Sequence, residues 1–187
     1  MQEEIIFAGF GGQGVLFAGQ LVAYTALAES KHVTWIPSYG PEMRGGTANC
    51  TVVISDEPIG SPVTSRPSVA AVFNNPSMEK YAGLVKPGGL LVVNDSIVTF
   101  TTERTDITII CVPATTLASE MGEAKLTNML LLGALLAQKP VVSLETTRRV
   151  LIEKLGAGKA HLHAANIAAL ERGWALSREA VPASAPL

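Results

Sequence analysis

The segment Phe7-Ala8-Gly9-Phe10-Gly11-Gly12-Gln13-Gly14 decides the fold, because an apolar strand runs directly into glycines at Gly-x-Gly-x-x-Gly spacing. The residues that follow, 15–23, are typical of a helix that begins at this turn. We expect Gly9 to permit the bend, Gly11 to let a ligand approach the backbone, and Gly14 to let helix and strand pack closely. Unpaired N–H groups at the start of such a helix favour a phosphate or another anion.

The same spacing occurs in dinucleotide-binding turns, and also in strand-to-helix turns that bind nothing. A dinucleotide site requires an acidic residue about 20 residues further on, at the end of the second strand. Here the second predicted strand, residues 33–36, runs into Pro37, and the first acidic residue, Glu42, follows a second proline. A site for NAD or FAD is therefore the less favoured interpretation of the turn.

Apolar strand-like runs alternate with helical patterns, which predicts an α/β, Rossmann-like layered fold with a mostly parallel sheet. The segment 56–60 resembles a hairpin turn, so part of the sheet is expected to be antiparallel. The carboxy-terminal third is predicted to be helical, with Ser143 as a helix cap. The predicted strands are 4–8, 33–36, 48–55, 69–73, 89–94 and 107–112, and the predicted helices are 15–23, 76–85, 126–138, 144–155 and 159–177.

The domain organisation follows from length and composition. A chain of 187 residues, 48% of them hydrophobic, is large enough for one well-filled core. We expect one domain over residues 1–177 and a mobile tail rich in alanine and proline over 178–187. The helix 126–138 is apolar on all sides, which indicates either a central core helix or a subunit interface that Gly133 lets another helix approach.

Charge and cysteine content exclude several classes of function. A net charge of −2, without a basic run, argues against a nucleic-acid partner. The acidic start of the chain is unlike a signal peptide, and no apolar run has the length that spans a bilayer, so we expect a cytoplasmic protein without a membrane partner. Cys50 and Cys111 are expected to be buried apolar residues, and two cysteines cannot hold an iron–sulfur cluster. His161 and His163 are spaced poorly for a shared metal, and no catalytic triad or paired-carboxylate motif is present.

A second segment, Ser38-Tyr39-Gly40-Pro41-Glu42-Met43-Arg44-Gly45-Gly46-Thr47-Ala48-Asn49-Cys50, carries a family resemblance. Together with the glycine turn it resembles the gamma subunit of the 2-oxoacid:ferredoxin oxidoreductases. The 2-oxoglutarate branch is the most similar, although the pyruvate, branched-chain and indolepyruvate branches share the glycine turn. The resemblance covers roughly the first two-thirds of the chain and continues through residues 51–55, 59–62, 73–77 and 86–94, and more loosely through 127–128.

The resemblance implies a non-catalytic subunit of an enzyme that makes acyl-CoA, CO₂ and reduced ferredoxin. In the family, thiamine diphosphate and Mg²⁺ lie between alpha and beta subunits, and a ferredoxin-like subunit holds iron–sulfur clusters. The gamma subunit is associated with coenzyme A. The chain is then expected to be inactive alone. Whether the isolated chain forms a homodimer is left open by the sequence. The rival interpretations are a free-standing NAD- or FAD-binding module and a purely structural subunit.

The residues expected to contact coenzyme A lie in the glycine turn, in the second segment and after the fourth strand. Arg44 either holds a phosphate or pairs with Glu42, and Tyr39 either packs on the ligand or anchors its loop. Asn75, after the fourth strand, is expected to cap the next helix. Thr127 and Asn128 open the apolar helix, where capping is favoured and the alternative is that one of them faces the glycine loop. The full set of expected ligand contacts is Gly9, Gly11, Gly12, Gln13, Gly14, Ser38, Tyr39, Arg44, Gly45, Gly46, Thr47 and Asn74.

Overall fold

Six strands in the described part of the chain form one mixed sheet. The computed structural model describes residues 1–39 and 46–179. The strands are β1 (Gln2–Phe10), β2 (His32–Tyr39), β3 (Thr47–Ser55), β4 (Val69–Val72), β5 (Leu90–Asn94) and β6 (Thr108–Val112). Their order is β2-β3-β1-β4-β5-β6. Strands β1, β4, β5 and β6 run parallel, whereas β3 is antiparallel to both β1 and β2. The predicted mostly parallel, partly antiparallel α/β fold is confirmed.

The antiparallel part does not arise at the expected turn. Strand β3 ends with Ser55 opposite Gln2, at the beginning of β1. The chain then passes that end of β1, where Ser68 N donates to Glu4 O at 2.9 Å, and β4 pairs with the other edge of β1. The prediction of a hairpin turn at residues 56–60 is therefore wrong, because the strands on either side of it do not pair with each other. The antiparallel hairpin is formed by β2 and β3.

Helices cover both faces of the sheet, and alternate residues of β1 pack against the helices on opposite faces. The helices are α1 (Val15–Ala28), α2 (Asn75–Tyr81), α3 (Ala114–Glu120), α4 (Thr127–Gln138), α5 (Leu144–Leu155) and α6 (Ala160–Glu179). Successive side chains of a strand point to opposite faces. Ile5 and Phe7 accordingly pack in the large core with α1 and α4, and Ile6 and Ala8 pack in the smaller core with α2.

The helix predictions hold with three differences. Helix α1 continues to Ala28, the predicted helix 76–85 is α2 followed by a 3-10 turn at Ala82–Leu84, and α3 was not expected. The cap at Ser143 is confirmed, since its Oγ accepts from Thr146 N at 3.1 Å. Helix α6 ends at Glu179, two residues beyond the expected end of the domain. The remainder of the expected tail, residues 180–187, lies outside the described residues.

Helix α4 is buried on every side, and a close crossing with α6 explains its glycine. A Cβ built on Gly133 would lie 2.0 Å from Leu170 O, and one built on Gly173 would lie 2.0 Å from Leu130 O. The two glycines therefore let the two backbones touch. The interpretation of α4 as a core helix is confirmed, and the close approach at Gly133 is made by the chain's own α6.

Only one of the two cysteines is buried. Cys50 is fully buried between α1 and the sheet, and burial raises the pKa of its thiol to about 12. Cys111 is exposed, so the prediction that it is buried is wrong. It lies in β6, the last strand of the sheet, on the face opposite the buried Ile110 and Val112. Apolar composition predicts the strand but not which edge residues lack a covering helix.

Replacing Gly133 with alanine should destabilise the fold. The new methyl group meets a backbone carbonyl of α6, so the two helices must separate, at a cost of about 2 kcal/mol or more in the free energy of unfolding. Urea unfolding followed by circular dichroism measures the change. The matched control is Gly158→Ala, where a Cβ meets no atom within 4 Å, and equal losses in both variants would contradict the close crossing.

The two thiols should differ in reactivity. In the native chain at pH 8, an alkylating reagent is expected to modify Cys111 and to leave Cys50 unmodified, because Cys50 is buried and its pKa of about 12 keeps it protonated. Peptide mass spectrometry identifies the labelled residue. Both cysteines should react after denaturation, and equal labelling in the native state would contradict the placement of Cys50.

Candidate functional site

Left-handed glycines form the passage from β1 into α1. Gly12 has φ +99° and Gly14 has φ +75°, in the region that favours glycine. Two backbone hydrogen bonds hold the turn. Gln13 N donates to Phe10 O, at the end of β1, at 3.2 Å, and Gly11 N donates to Gly46 O, just before β3, at 3.0 Å. Residues 11–14 of the glycine turn therefore lie against Gly46, the first described residue after the gap at 40–45.

The structural roles of Gly9 and Gly14 differ from those predicted from the sequence. Gly9 lies within β1 and does not make the bend. A Cβ on Gly9 would lie 2.8 Å from Phe73 Cβ and 2.8 Å from Val15 Cγ2, so this residue permits close packing. A Cβ on Gly14 would lie 2.4 Å from Asn128 Nδ2, so its close neighbour is α4. The predicted roles of Gly9 and Gly14 are wrong, because the bend is made by the two left-handed glycines.

The side chain of Gln13 stabilises the turn by a hydrogen bond to the backbone. Its Oε1 accepts from Phe10 N at 2.7 Å and lies 3.5 Å from Asn74 Nδ2. The Gln13 amide therefore binds the backbone of its own loop.

Asn74 caps α2, so the prediction that Asn75 is the cap is wrong. The Oδ1 of Asn74 accepts from Ser77 N at 3.0 Å. Asn75 instead accepts from Thr99 N at 2.7 Å and holds the segment after β5. The two neighbouring asparagines have the same capping propensity, and only the extended backbone of Asn74 distinguishes them.

Asn128 contacts the glycine turn from the core helix α4. Its Nδ2 donates to Gly14 O at 3.2 Å, its side chain is buried, and its Oδ1 has no hydrogen-bond partner among the described residues. Of the two alternatives for Asn128, the contact with the glycine loop is confirmed and the favoured cap is wrong, since the cap residue is Leu126 and makes no side-chain bond. The same expectation for Thr127 is also wrong, because Thr127 donates back to Ala124 O at 3.0 Å. An amide in an otherwise apolar helix was the sequence signal for this contact.

A hollow of about 280 Å³ lies between the turn and the β2–β3 hairpin. Tyr39 stands at its rim with 62% of its surface exposed. Among the described residues that line the hollow there is no carboxylate, imidazole or thiol, so it is suited to binding rather than to acid–base chemistry. The lining residues are Phe10, Gly11, Gly12, Gly14, Val15, Leu16, Phe17, Tyr39 and Ala48.

The remaining expected site residues do not all share this hollow. Thr47 lines a smaller hollow of about 50 Å³ on the α2 side, together with Gly9 and Lys80. Ser38 pairs with Asn49, which lines the same smaller hollow. The structure therefore places Ser38 and Thr47 on the opposite face of the sheet from Tyr39. Arg44 and Gly45 lie outside the described residues.

The start of α1 supplies the electrostatic character of the site. No side chain caps this end of α1, and no acidic residue lies in its first turn. The first N–H groups of a helix have no partner within it and carry its positive dipole. The site can therefore bind an anion at the backbone of the turn and an apolar group in the adjacent hollow.

The described residues include neither a metal-binding group of side chains nor a membrane-spanning helix. Across residues 1–39 and 46–179, no three His, Cys, Asp or Glu residues are grouped so that they could hold a metal ion. In the same ranges no helix combines the length and apolar character needed to cross a membrane.

The family model for pyruvate ferredoxin/flavodoxin oxidoreductase matches residues 4–176. The ketoisovalerate oxidoreductase subunit VorA of Methanothermobacter marburgensis is 39% identical over 92% of this chain. The match covers 36% of VorA, so the chain spans about a third of that relative. The 2-oxoglutarate synthase subunit KorC of Methanocaldococcus jannaschii is 34% identical, and the match covers 96% of each chain.

A solved structure is similar over nearly the whole fold. It is the 2-oxoglutarate:ferredoxin oxidoreductase from Magnetococcus marinus with 2-oxoglutarate, coenzyme A and succinyl-CoA bound. The TM-score is 0.88 at 26% identity, over 98% of this chain and 32% of that one. The resemblance to gamma subunits of 2-oxoacid:ferredoxin oxidoreductases is confirmed, and the chain belongs to the pyruvate ferredoxin/flavodoxin oxidoreductase family.

Proposed function

We propose that this chain serves as the gamma subunit of a 2-oxoacid:ferredoxin oxidoreductase and that its glycine turn helps to bind coenzyme A. The observation that carries the proposal is the uncapped start of α1, which opens beside an apolar hollow at the carboxyl end of β1. Ligands of open α/β sheets bind at this edge of the sheet. The chain contributes binding, and the bond-breaking chemistry belongs to partner subunits.

The two parts of the site match the two kinds of chemistry in coenzyme A. Its phosphates are anions, which the N–H groups at the start of α1 favour. Its adenine ring and pantetheine arm present apolar surface, which the hollow and the exposed ring of Tyr39 can cover. The structurally similar enzyme of Magnetococcus marinus has coenzyme A bound, which supports this choice of ligand.

The proposed substrate of the whole enzyme is 2-oxoglutarate. KorC and the Magnetococcus enzyme are named for 2-oxoglutarate, whereas VorA is named for ketoisovalerate. Apart from Tyr39, the described residues that line the hollow beside the turn are apolar residues and glycines, and none of them would select between these acids. Substrate choice is accordingly assigned to the partner subunits.

The proposal implies several components that lie on other chains. Alpha and beta subunits would hold thiamine diphosphate and Mg²⁺, and a ferredoxin-like subunit would hold the iron–sulfur clusters. The chain alone should then show no oxidoreductase activity. A free-standing NAD or FAD module is the main alternative, and it is disfavoured because β2 ends at Ser38 and Tyr39 without an acidic residue for the ribose.

Changing Gly12 to alanine should raise the KM for coenzyme A. A Cβ on Gly12 meets no atom within 4 Å, but φ +99° is strained for alanine, so the variant distorts the turn without a clash. Losing one hydrogen bond to a charged phosphate corresponds to a rise of about tenfold or more. The assay uses the complex that co-purifies with the tagged chain, with 2-oxoglutarate and ferredoxin as the other substrates.

The matched control is Gly122→Ala. Gly122 is also an exposed left-handed glycine, with φ +80° and no atom within 4 Å of a Cβ, but it lies between α3 and α4. Its KM for coenzyme A should stay within about twofold of the wild type. If both variants leave this KM unchanged in an intact complex, the glycine turn does not contact coenzyme A. Tight calorimetric binding of NADH instead would favour the alternative module.

A further inference from the structure

The side-chain amide of Asn128 contacts the glycine turn from a helix that is closely packed in the core. Asn128 is 5% exposed and belongs to α4, which the close crossing of Gly133 and Gly173 fixes against α6. Its Nδ2 donates to the carbonyl oxygen of Gly14, which also accepts from Ala18 N at 3.0 Å. This one carbonyl therefore joins the core helix, the turn and the first hydrogen bond of α1.

The contact with Gly14 O also fixes the orientation of the Val15 N–H, which belongs to the same peptide group. The carbonyl of Gly14 and the N–H of Val15 belong to one planar trans peptide, so they point in opposite directions. Because the carbonyl points along α1 towards Ala18, the Val15 N–H points out of the start of the helix. Val15 and Gly14 both line the hollow beside the turn. Fixing the carbonyl therefore fixes the direction of an N–H donor at the proposed ligand site.

The free oxygen of the same amide argues against a purely structural role. Asn128 Oδ1 is buried and has no partner among the described residues, although a buried polar atom is destabilising when it is left unpaired. An apolar residue would avoid this cost in a helix whose neighbouring residues, Met129 to Leu132, are all buried and apolar. The unpaired acceptor is part of the same planar amide that contacts Gly14, so it lies beside the turn.

We infer that Asn128 is a positioning residue, which acts through the Gly14–Val15 peptide and aims the Val15 N–H at the anionic part of the ligand. The inference rests on the proposed function, since it requires coenzyme A at the glycine turn. Asn128 contributes to ligand affinity through the turn, and its removal leaves the bond-breaking steps of the partner subunits unaffected.

The test compares Asn128→Ala and Asn128→Asp in the assembled complex. Alanine removes the amide, whereas aspartate keeps its shape but, when ionised, cannot donate to Gly14 O and places a negative charge beside a site for an anion. Each variant should raise the KM for coenzyme A by about tenfold, with the larger effect for aspartate. The kcat and the KM for 2-oxoglutarate should stay within about twofold of the wild type.

The matched control is Asn94→Ala. Asn94 is also a buried asparagine at the carboxyl edge of the sheet, but its amide binds Phe73 O and Thr115 rather than the glycine turn. It should lower the thermal stability of the chain without changing the KM for coenzyme A. If the Asn128 variants match Asn94→Ala in both measurements, Asn128 is only structural and the inference fails.

The Gly12→Ala variant separates this failure from failure of the proposed function. If Gly12→Ala raises the KM for coenzyme A and the Asn128 variants do not, coenzyme A binds at the turn without help from Asn128. If none of these variants changes that KM, the proposed function itself is wrong. If an Asn128 variant fails to assemble, calorimetric titration of the isolated variant and wild-type chains with coenzyme A replaces the kinetic comparison, and equal affinities overturn the inference.

Discussion

The structure depends on the abrupt passage from β1 into α1 through left-handed glycines. With Gly12 and Gly14 at positive φ, the helix begins only a few residues after the strand ends and runs back across the sheet. Gly19 then lets α1 lie on β3, since a Cβ there would be 2.3 Å from Cys50 Sγ. The large core, which unites α1, α4, α5 and α6 on one face of the sheet, forms around this placement. The same passage leaves the start of α1 uncapped at the carboxyl edge of β1, so one constraint produces both the core and the candidate site.

Among the described residues, the candidate site at the glycine turn is suited to binding and holds no acid or base. The hollow beside the turn combines backbone N–H donors with apolar walls, and the described residues that line it include no acid or base that titrates near neutral pH. Cys50 is buried within the core, and Cys111 lies at the far edge of the sheet. A subunit built in this way can position a ligand for chemistry that another chain performs. Such a role agrees with the proposed function of the chain.

Much of the fold could be predicted from local pattern. The apolar run before Gly9, the long run in β3 and the apolar helix α4 are each recognisable without knowledge of their neighbours. Strand pairing is not local, and for this reason the local pattern of residues 56–60 predicts a hairpin where the chain instead passes the beginning of β1. The same limit applies to the site. The glycine turn is recognisable in the sequence. The contact between Asn128 and Gly14 joins residues 114 positions apart, so the sequence offers it only as an alternative to a cap on α4. Similarly, alternation along a strand predicts two faces, but it could not show that Ser38 and Thr47 lie on the face opposite Tyr39.

Hydrogen–deuterium exchange on the assembled complex, with and without coenzyme A, tests whether the glycine turn binds this ligand. The backbone N–H groups at the start of α1, in residues 15–17, lack partners within the helix, so bound phosphates should slow their exchange. If coenzyme A binds at the glycine turn, its addition should protect a peptide that covers the turn and the start of α1, and NADH should give no comparable protection. Unchanged exchange in this peptide at saturating coenzyme A, with protection confined to the partner chains, would contradict it.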